Sequence, residues 1–259
     1  MVHYSLSIET LEVFLLILAR IASFVFIAPF FSQSGFPNRV QVGFSVVVSL
    51  ILFYTLPFES VEYDTIFGYT AVLLKEVICG LLIGFSANIC TYIVQFSGHM
   101  IDMDIGLSMA TQLDPVTNQQ VSLTGVLYEY IIILLLIVSD MHRFILRALC
   151  DAYEMIPIGG ITLGFDHLME SMVEFMADYL ILGFRIMLPI FACILILNVV
   201  LGILAKVAPQ MNMFVVGMQL KIIVGYVIIF LTVSLLPTYA DIIYQEMKHL
   251  MVTFMEGMY

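Results

Sequence analysis

The sequence predicts a polytopic all-α membrane protein with about six long apolar helices, several of them kinked or split, ending in a helical hairpin. Three observations predict it. Of the 259 residues, 62% are hydrophobic and only 11% are charged, with a mean hydropathy of +1.07, whereas a water-soluble domain carries roughly 25% charged residues. Six apolar stretches, 10–31, 40–57, 66–97, 123–138, 176–205 and 214–240, approach or exceed the roughly 20 residues that one bilayer crossing requires. Backbone in lipid must satisfy its own hydrogen bonds, so these stretches are read as helices.

Taken in order, the first stretch follows Glu9 and Glu12 rather than the Lys or Arg of a cleavable signal. No small-residue cleavage site succeeds it, so it is expected to be kept. A turn-rich link at 32–39 leads to the second stretch, and an acidic link at 58–65 to the third. The third exceeds one crossing and holds Gly80 and Gly84, which predict a kink or split. Residues 98–122 contain Gly98, Gly106 and Pro115 and no Lys or Arg, and are expected to be largely irregular. After the fourth stretch, 141–156 has helical amphipathicity: Arg143, Arg147, Asp151 and Glu154 on one side, Ile145, Leu149, Ala152 and Ile156 on another. Gly159, Gly160 and Gly164 then break the chain, with Asp166 as the next N-cap. Pro189 predicts a kink or split in the long fifth stretch. Arg39 and Lys206 place the first and fifth connections in the cytoplasm by the positive-inside rule, although alternation then puts Arg143 and Arg147 on the opposite side.

Charges within the apolar stretches carry the functional signal. Arg20, Lys75, Glu76, Arg185 and Lys221 all lie where lipid would be expected. A charge at the bilayer centre costs about 2.5–3.5 kcal/mol on insertion scales. Several together predict helices that face protein or water, either through structural ion pairs or along a polar path. Glu76 is a candidate partner for Arg20 or for Arg185. Gly80, Gly84 and Asn88 form a stripe at every fourth position, which permits close helix packing. Met100, Met103 and Met109 cluster beside the polar segment.

Several functions are excluded. Nine basic residues against twenty acidic ones give a net charge of −11 and argue against nucleic-acid binding. The four cysteines have no paired spacing and the histidines no HExxH pattern, so no metal or other cofactor is expected. An intramembrane protease needs a nucleophile, a metal motif or an aspartate dyad. Ser108 lacks a His partner, and Asp102 and Asp104, two apart on one segment, cannot face each other. No enzyme is expected. A small-solute channel or secondary transporter remains an alternative, since it shares broken helices and intramembrane charges, but the two halves show no matching interruptions.

Longer motifs are more specific. The run from Leu18 through Arg20 to Pro29, then Gly35, Pro37 and Val40, then Lys75-Glu76 ahead of Gly80 and Gly84, occur in order. The stretch Ser97 to Pro115 follows, then Leu188-Pro189, Asn198, Gly202, Ala208-Pro209-Gln210-Met-Asn212, Gly217 to Lys221, and Pro237. Together they resemble the FliR/SctT family of the type III secretion export apparatus, across residues 20–237. His99 and Lys206 depart from the Gln-like residue and the Arg expected there.

The resemblance implies a subunit that joins FliP and FliQ homologues in a closed cone, with an FlhB homologue at its cytoplasmic end. That cone admits unfolded export substrates to the bacterial inner membrane at the flagellar basal body, its outer face in contact with membrane lipid. Residues 1–175, including 98–122, would pack as a FliP-like protomer, and 176–259 would form a FliQ-like hairpin. Gly202 and Gly217 would serve helix packing there, alongside Gly80 and Gly84. Pro209 and Gln210 would form a cytoplasmic turn, with Lys221 buried against a neighbouring subunit. Residues 106–122 are too polar for lipid and are expected to plug the pore, with Gly106, Met109, Leu113, Asp114, Pro115 and Asn118 as plug residues.

Overall fold

Helix bounds follow the local sequence closely. The computed structural model describes residues 8–32, 37–55, 63, 65–110, 122–162, 164–208, 210 and 212–259, and among these the regular elements are all helical. They are α1 (Ile8–Ile27), α2 (Asn38–Thr55), α3 (Ile66–Ile89), α4 (Tyr92–Ile105), α5 (Leu123–Val138), α6 (Met141–Met155), α7 (Phe165–Val207), α8 (Met213–Thr232) and α9 (Leu236–Glu256). Short 3₁₀ turns occupy Leu107–Ala110 and Val233–Leu235. Five helical stretches are long and apolar enough to cross a membrane, and six if the bent pair α5–α6 is one crossing.

Three expectations take a more definite form. The third stretch is not split at Gly80 or Gly84, both inside α3; it breaks at Cys90–Thr91. Residues 98–105 belong to α4, which Gly106 ends with a left-handed φ of 91°. The fifth stretch is not split at Pro189, which lies inside the 43-residue α7. At about 1.5 Å per residue this helix runs for about 65 Å, twice a bilayer core. Pro189 removes a single backbone bond, whereas a full break in lipid would expose many more polar groups. The amphipathic helix over 141–156 is present as α6. Arg143, Arg147, Asp151 and Glu154 are exposed on it, while Ile145, Leu149 and Ala152 are buried.

The chain divides into two compact units that interleave in sequence. The first comprises residues 1–89, 140–175 and 245–259, and the second 90–139 and 176–244. In the first unit α1 packs against α2 and α3. Leu16, Ile17, Ile21, Phe24 and Val25 of α1 are fully buried. On α2 the buried face includes a polar ladder. Gln41 donates to the Phe31 carbonyl at 2.6 Å, Ser45 to the Gln41 carbonyl at 2.8 Å, and Ser49 to the Ser45 carbonyl at 2.6 Å. The first unit also holds the last turns of α9, and just beyond them the Met258 and Gly257 carbonyls accept from the Thr162 and Gly164 amides at 3.0 Å each.

The glycines divide by what surrounds them. A Cβ at Gly80 would sit 2.1 Å from the Arg20 carbonyl oxygen and from Ser23 Oγ, and one at Gly84 would sit 3.0 Å from the Phe24 carbonyl oxygen. Both therefore lie where α3 meets the backbone of α1. Among the described residues Gly217 has only Leu201 in ordinary contact and Gly202 has nothing within 4 Å, so none of their packing depends on Gly202. Gly80→Ala is expected to drive α1 and α3 apart and to lower the melting temperature of the purified protein by several degrees. Gly202→Ala should leave it unchanged or slightly raised, because alanine favours the helix by ~1 kcal/mol.

Candidate functional site

The second unit carries the polar segment singled out in the sequence, and one carboxylate closes its base. Asp102, in the last turn of α4, is 1% exposed. Its carboxylate accepts from Ser122 Oγ at 2.7 Å, from the Thr124 amide at 3.3–3.4 Å and from Thr124 Oγ1. Ser122 is also the N-cap of α5, its hydroxyl accepting from the Gly125 amide at 2.8 Å. The first amides of a helix lack partners within it and carry partial positive charge, so a buried carboxylate is stabilised there. The two helices touch at backbone level: a Cβ at Gly98 would lie 2.1 Å from Gly125 Cα. Gly98 is thus a packing residue and not the loop former that the sequence reading expected.

From Gly106 the chain makes a 3₁₀ turn over Leu107–Ala110. Leu113, Asp114, Pro115 and Asn118 lie outside the described residues, as does the side chain of Met109. Beside the exit from α4, a cleft of about 380 Å³ is lined by Asp104, Gly106 and Ser108, and by Asn198 of α7 and Gly217 and Lys221 of α8. Lys221, expected against a neighbouring subunit, is half-buried in its own unit and faces this cleft. Gln210 lies in the turn between α7 and α8, and Pro209 lies outside the described residues.

The remaining intramembrane charges separate sharply. In the first unit Arg20 and Glu76 are fully buried and paired, Nε to Oε2 at 2.6 Å. Arg20 Nη1 donates to the Ile156 carbonyl at 2.9 Å, and Glu76 Oε1 accepts from the Gly159 amide at 2.9 Å. The guanidinium carbon lies 4.3 Å from the centroid of the Tyr153 ring, whose hydroxyl donates to the Ile17 carbonyl at 3.2 Å. Gly80, one turn beyond Glu76, lets α3 approach the Arg20 backbone closely enough for this pair to form. Of the two partners left open for Glu76, Arg20 is the one it meets. Lys75 and Arg185 are exposed on their helices.

Removing one member of a buried pair leaves an uncompensated charge and costs about 3–5 kcal/mol, whereas replacing both with apolar groups of similar volume is often nearly neutral. Arg20→Ala and Glu76→Ala should therefore each sharply reduce the yield of folded protein. The double variant Arg20→Met/Glu76→Leu should recover much of it, measured by monodispersity and melting temperature after detergent extraction.

With this geometry in place, the chain can be compared with known proteins. The sequence pattern of "Bacterial export proteins, family 1" matches residues 11–247, a span running from α1 into α9. The chain is similar to proteins named "Flagellar biosynthetic protein FliR". It is 29% identical to that of Bacillus subtilis (strain 168), covering 88% of this chain and 89% of the relative. It is 27% identical to that of Pectobacterium carotovorum subsp. carotovorum, covering 90% and 88%. For that of Escherichia coli (strain K12) the identity is 25%, covering 90% and 89%. Helices, intramembrane charges and a match along almost the whole sequence converge: the chain belongs to family 1 of the bacterial export proteins.

Proposed function

We propose that this chain is a subunit of the flagellar type III export gate in the bacterial inner membrane, at the flagellar basal body. With FliP and FliQ homologues it forms the pore that admits unfolded export substrates, and an FlhB homologue binds the cytoplasmic end. The observation that carries this reading is the family match over residues 11–247, together with the flagellar biosynthetic names of its relatives. Residues 1–175 pack as a FliP-like protomer and 176–259 as a FliQ-like hairpin in this reading. The exposed Lys75 and Arg185 support it, since a charge on an apolar helix calls for a protein or aqueous neighbour in place of lipid. As an export component the protein works by enclosing a path and not by catalysis.

Within the gate, residues 106–122 serve as the plug. They are too polar for lipid, and their Gly106, Pro115 and Asn118 favour non-helical backbone, which at membrane depth is tolerated only where protein or water surrounds it. The base formed by Asp102, Ser122 and Thr124 supports this reading, because it fixes where the segment leaves α4 and where it rejoins α5. Few charges hold such a plug, so passing substrate displaces it at low cost.

Co-expression with FliP and FliQ homologues, followed by native mass measurement, tests the assembly; a stable, monodisperse chain obtained alone would count against it. Deleting residues 110–118 tests the plug. The complex should still assemble, but its conductance to small ions in reconstituted bilayers should rise at least tenfold. An assembled deletion complex as tight as wild type would show that these residues are not the seal.

A further inference from the structure

Three consecutive residues at the end of α4 meet one face of α8. Ile105 lies against Gly225, where an added Cβ would come within 2.6–2.8 Å of three Ile105 side-chain carbons. Gly106 has Met218 as its nearest neighbour, with Cγ at 3.9 Å from a Cβ built there. Asp104 faces Lys221 across the cleft that both line, and Lys221 is the charge that acts on it. Met218, Lys221 and Gly225 are spaced i, i+3 and i+7, a single stripe of the helix. Among the described residues Asp104 Oδ2 is buried without a hydrogen-bond partner, and Lys221 is the opposite charge that shares its cleft.

We propose that Asp104 and Lys221 are positioning residues: their attraction across the cleft holds the last turn of α4 on this stripe of α8, so that the hairpin helix fixes where the following segment begins. At about 380 Å³ the cleft is large enough to admit several water molecules. Water raises the local dielectric, which makes this attraction weaker and more readily released than the dry, direct contact of Arg20 with Glu76. Gly225 gives the contact its steric half, since any larger residue pushes Ile105 away. A shift of α8 along or about its axis therefore moves Asp104, Ile105 and Gly106 together. The consequence for pore sealing rests on the plug reading above; the docking itself does not.

Two measurements on the complex assembled with FliP and FliQ homologues separate these parts. Cysteines at Ile105→Cys and Gly225→Cys, oxidised in the membrane, report docking, since the change at 105 removes side-chain carbons that a Cβ at 225 would strike. Crosslinked product should form with both charges present and fall at least threefold when Asp104→Asn or Lys221→Gln is added. The charge exchange Asp104→Lys/Lys221→Asp should restore it. Unchanged crosslinking in both neutralised variants, or no recovery in the exchange, would overturn the proposal. Bilayer conductance then reports the link to sealing. Asp104→Asn and Lys221→Gln, without the cysteines, should each leak several-fold more than wild type, and the exchange less than either. If the 110–118 deletion complex stays tight while the crosslinking result holds, the plug reading fails and the docking stands. If the deletion complex leaks and the neutralised variants stay tight, the control of the segment by α8 is refuted.

Discussion

The buried contact between Arg20 and Glu76 is the constraint on which the first unit depends. It joins α1 to α3 and, through the Ile156 carbonyl and the Gly159 amide, reaches the turn that follows α6. Either charge buried alone would be strongly destabilising, and their pairing offsets part of what each loses on leaving water. Several other features serve this contact. Gly80 is small because a side chain there would strike the Arg20 carbonyl. Tyr153 covers the guanidinium face with its ring while its hydroxyl finds the Ile17 carbonyl. Such a contact specifies one arrangement of three chain segments, which generic apolar packing between lipid-compatible helices does not do.

Much of this was legible beforehand, for physical reasons that vary by element. Apolar runs announce crossings because lipid leaves the backbone no alternative, and the two-sided pattern of α6 announced its buried and exposed faces. Charges were found by their anomaly, yet their pairing was not, because Arg20 and Glu76 meet only through tertiary contact. Asp102 was read only as half of an impossible catalytic dyad. The available signal was the cap that receives it: Ser122, with Thr124 and Gly125 at the start of an apolar run, marks a helix N-terminus seeking an acceptor. By local rules Gly98 reads as a breaker, although a glycine facing another glycine across two helices is a contact point that no local rule reveals.

The last helix was missed for a different reason. Apolar density falls after residue 240, so hydropathy alone gives no sign of a helix beyond it. The residues buried in α9 nonetheless recur with helical period: Ala240, Ile243, Met247, Leu250, Met251 and Phe254. Pro237 does not stop this helix; it sits in the first turn, where its missing amide would have lacked a partner anyway. Periodicity, not hydropathy, was the informative quantity for that stretch. The same holds for Gln41, Ser45 and Ser49, a polar stripe at four-residue spacing that turns inward because each side chain bonds to nearby backbone.

The composition of the first unit from three separated pieces has a consequence for biosynthesis. Its final piece, residues 245–259, leaves the ribosome long after α3, on the order of ten seconds later at ~5–20 residues per second. Arg20 and Glu76 are both in the membrane early, but Ile156 and Gly159 reach them only after the whole second-unit insertion 90–139 has been made. During that interval the nascent chain holds two charges at partial satisfaction inside the bilayer. Synthesis of the turn after α6 completes their hydrogen bonds, and the tail closes the unit only afterwards.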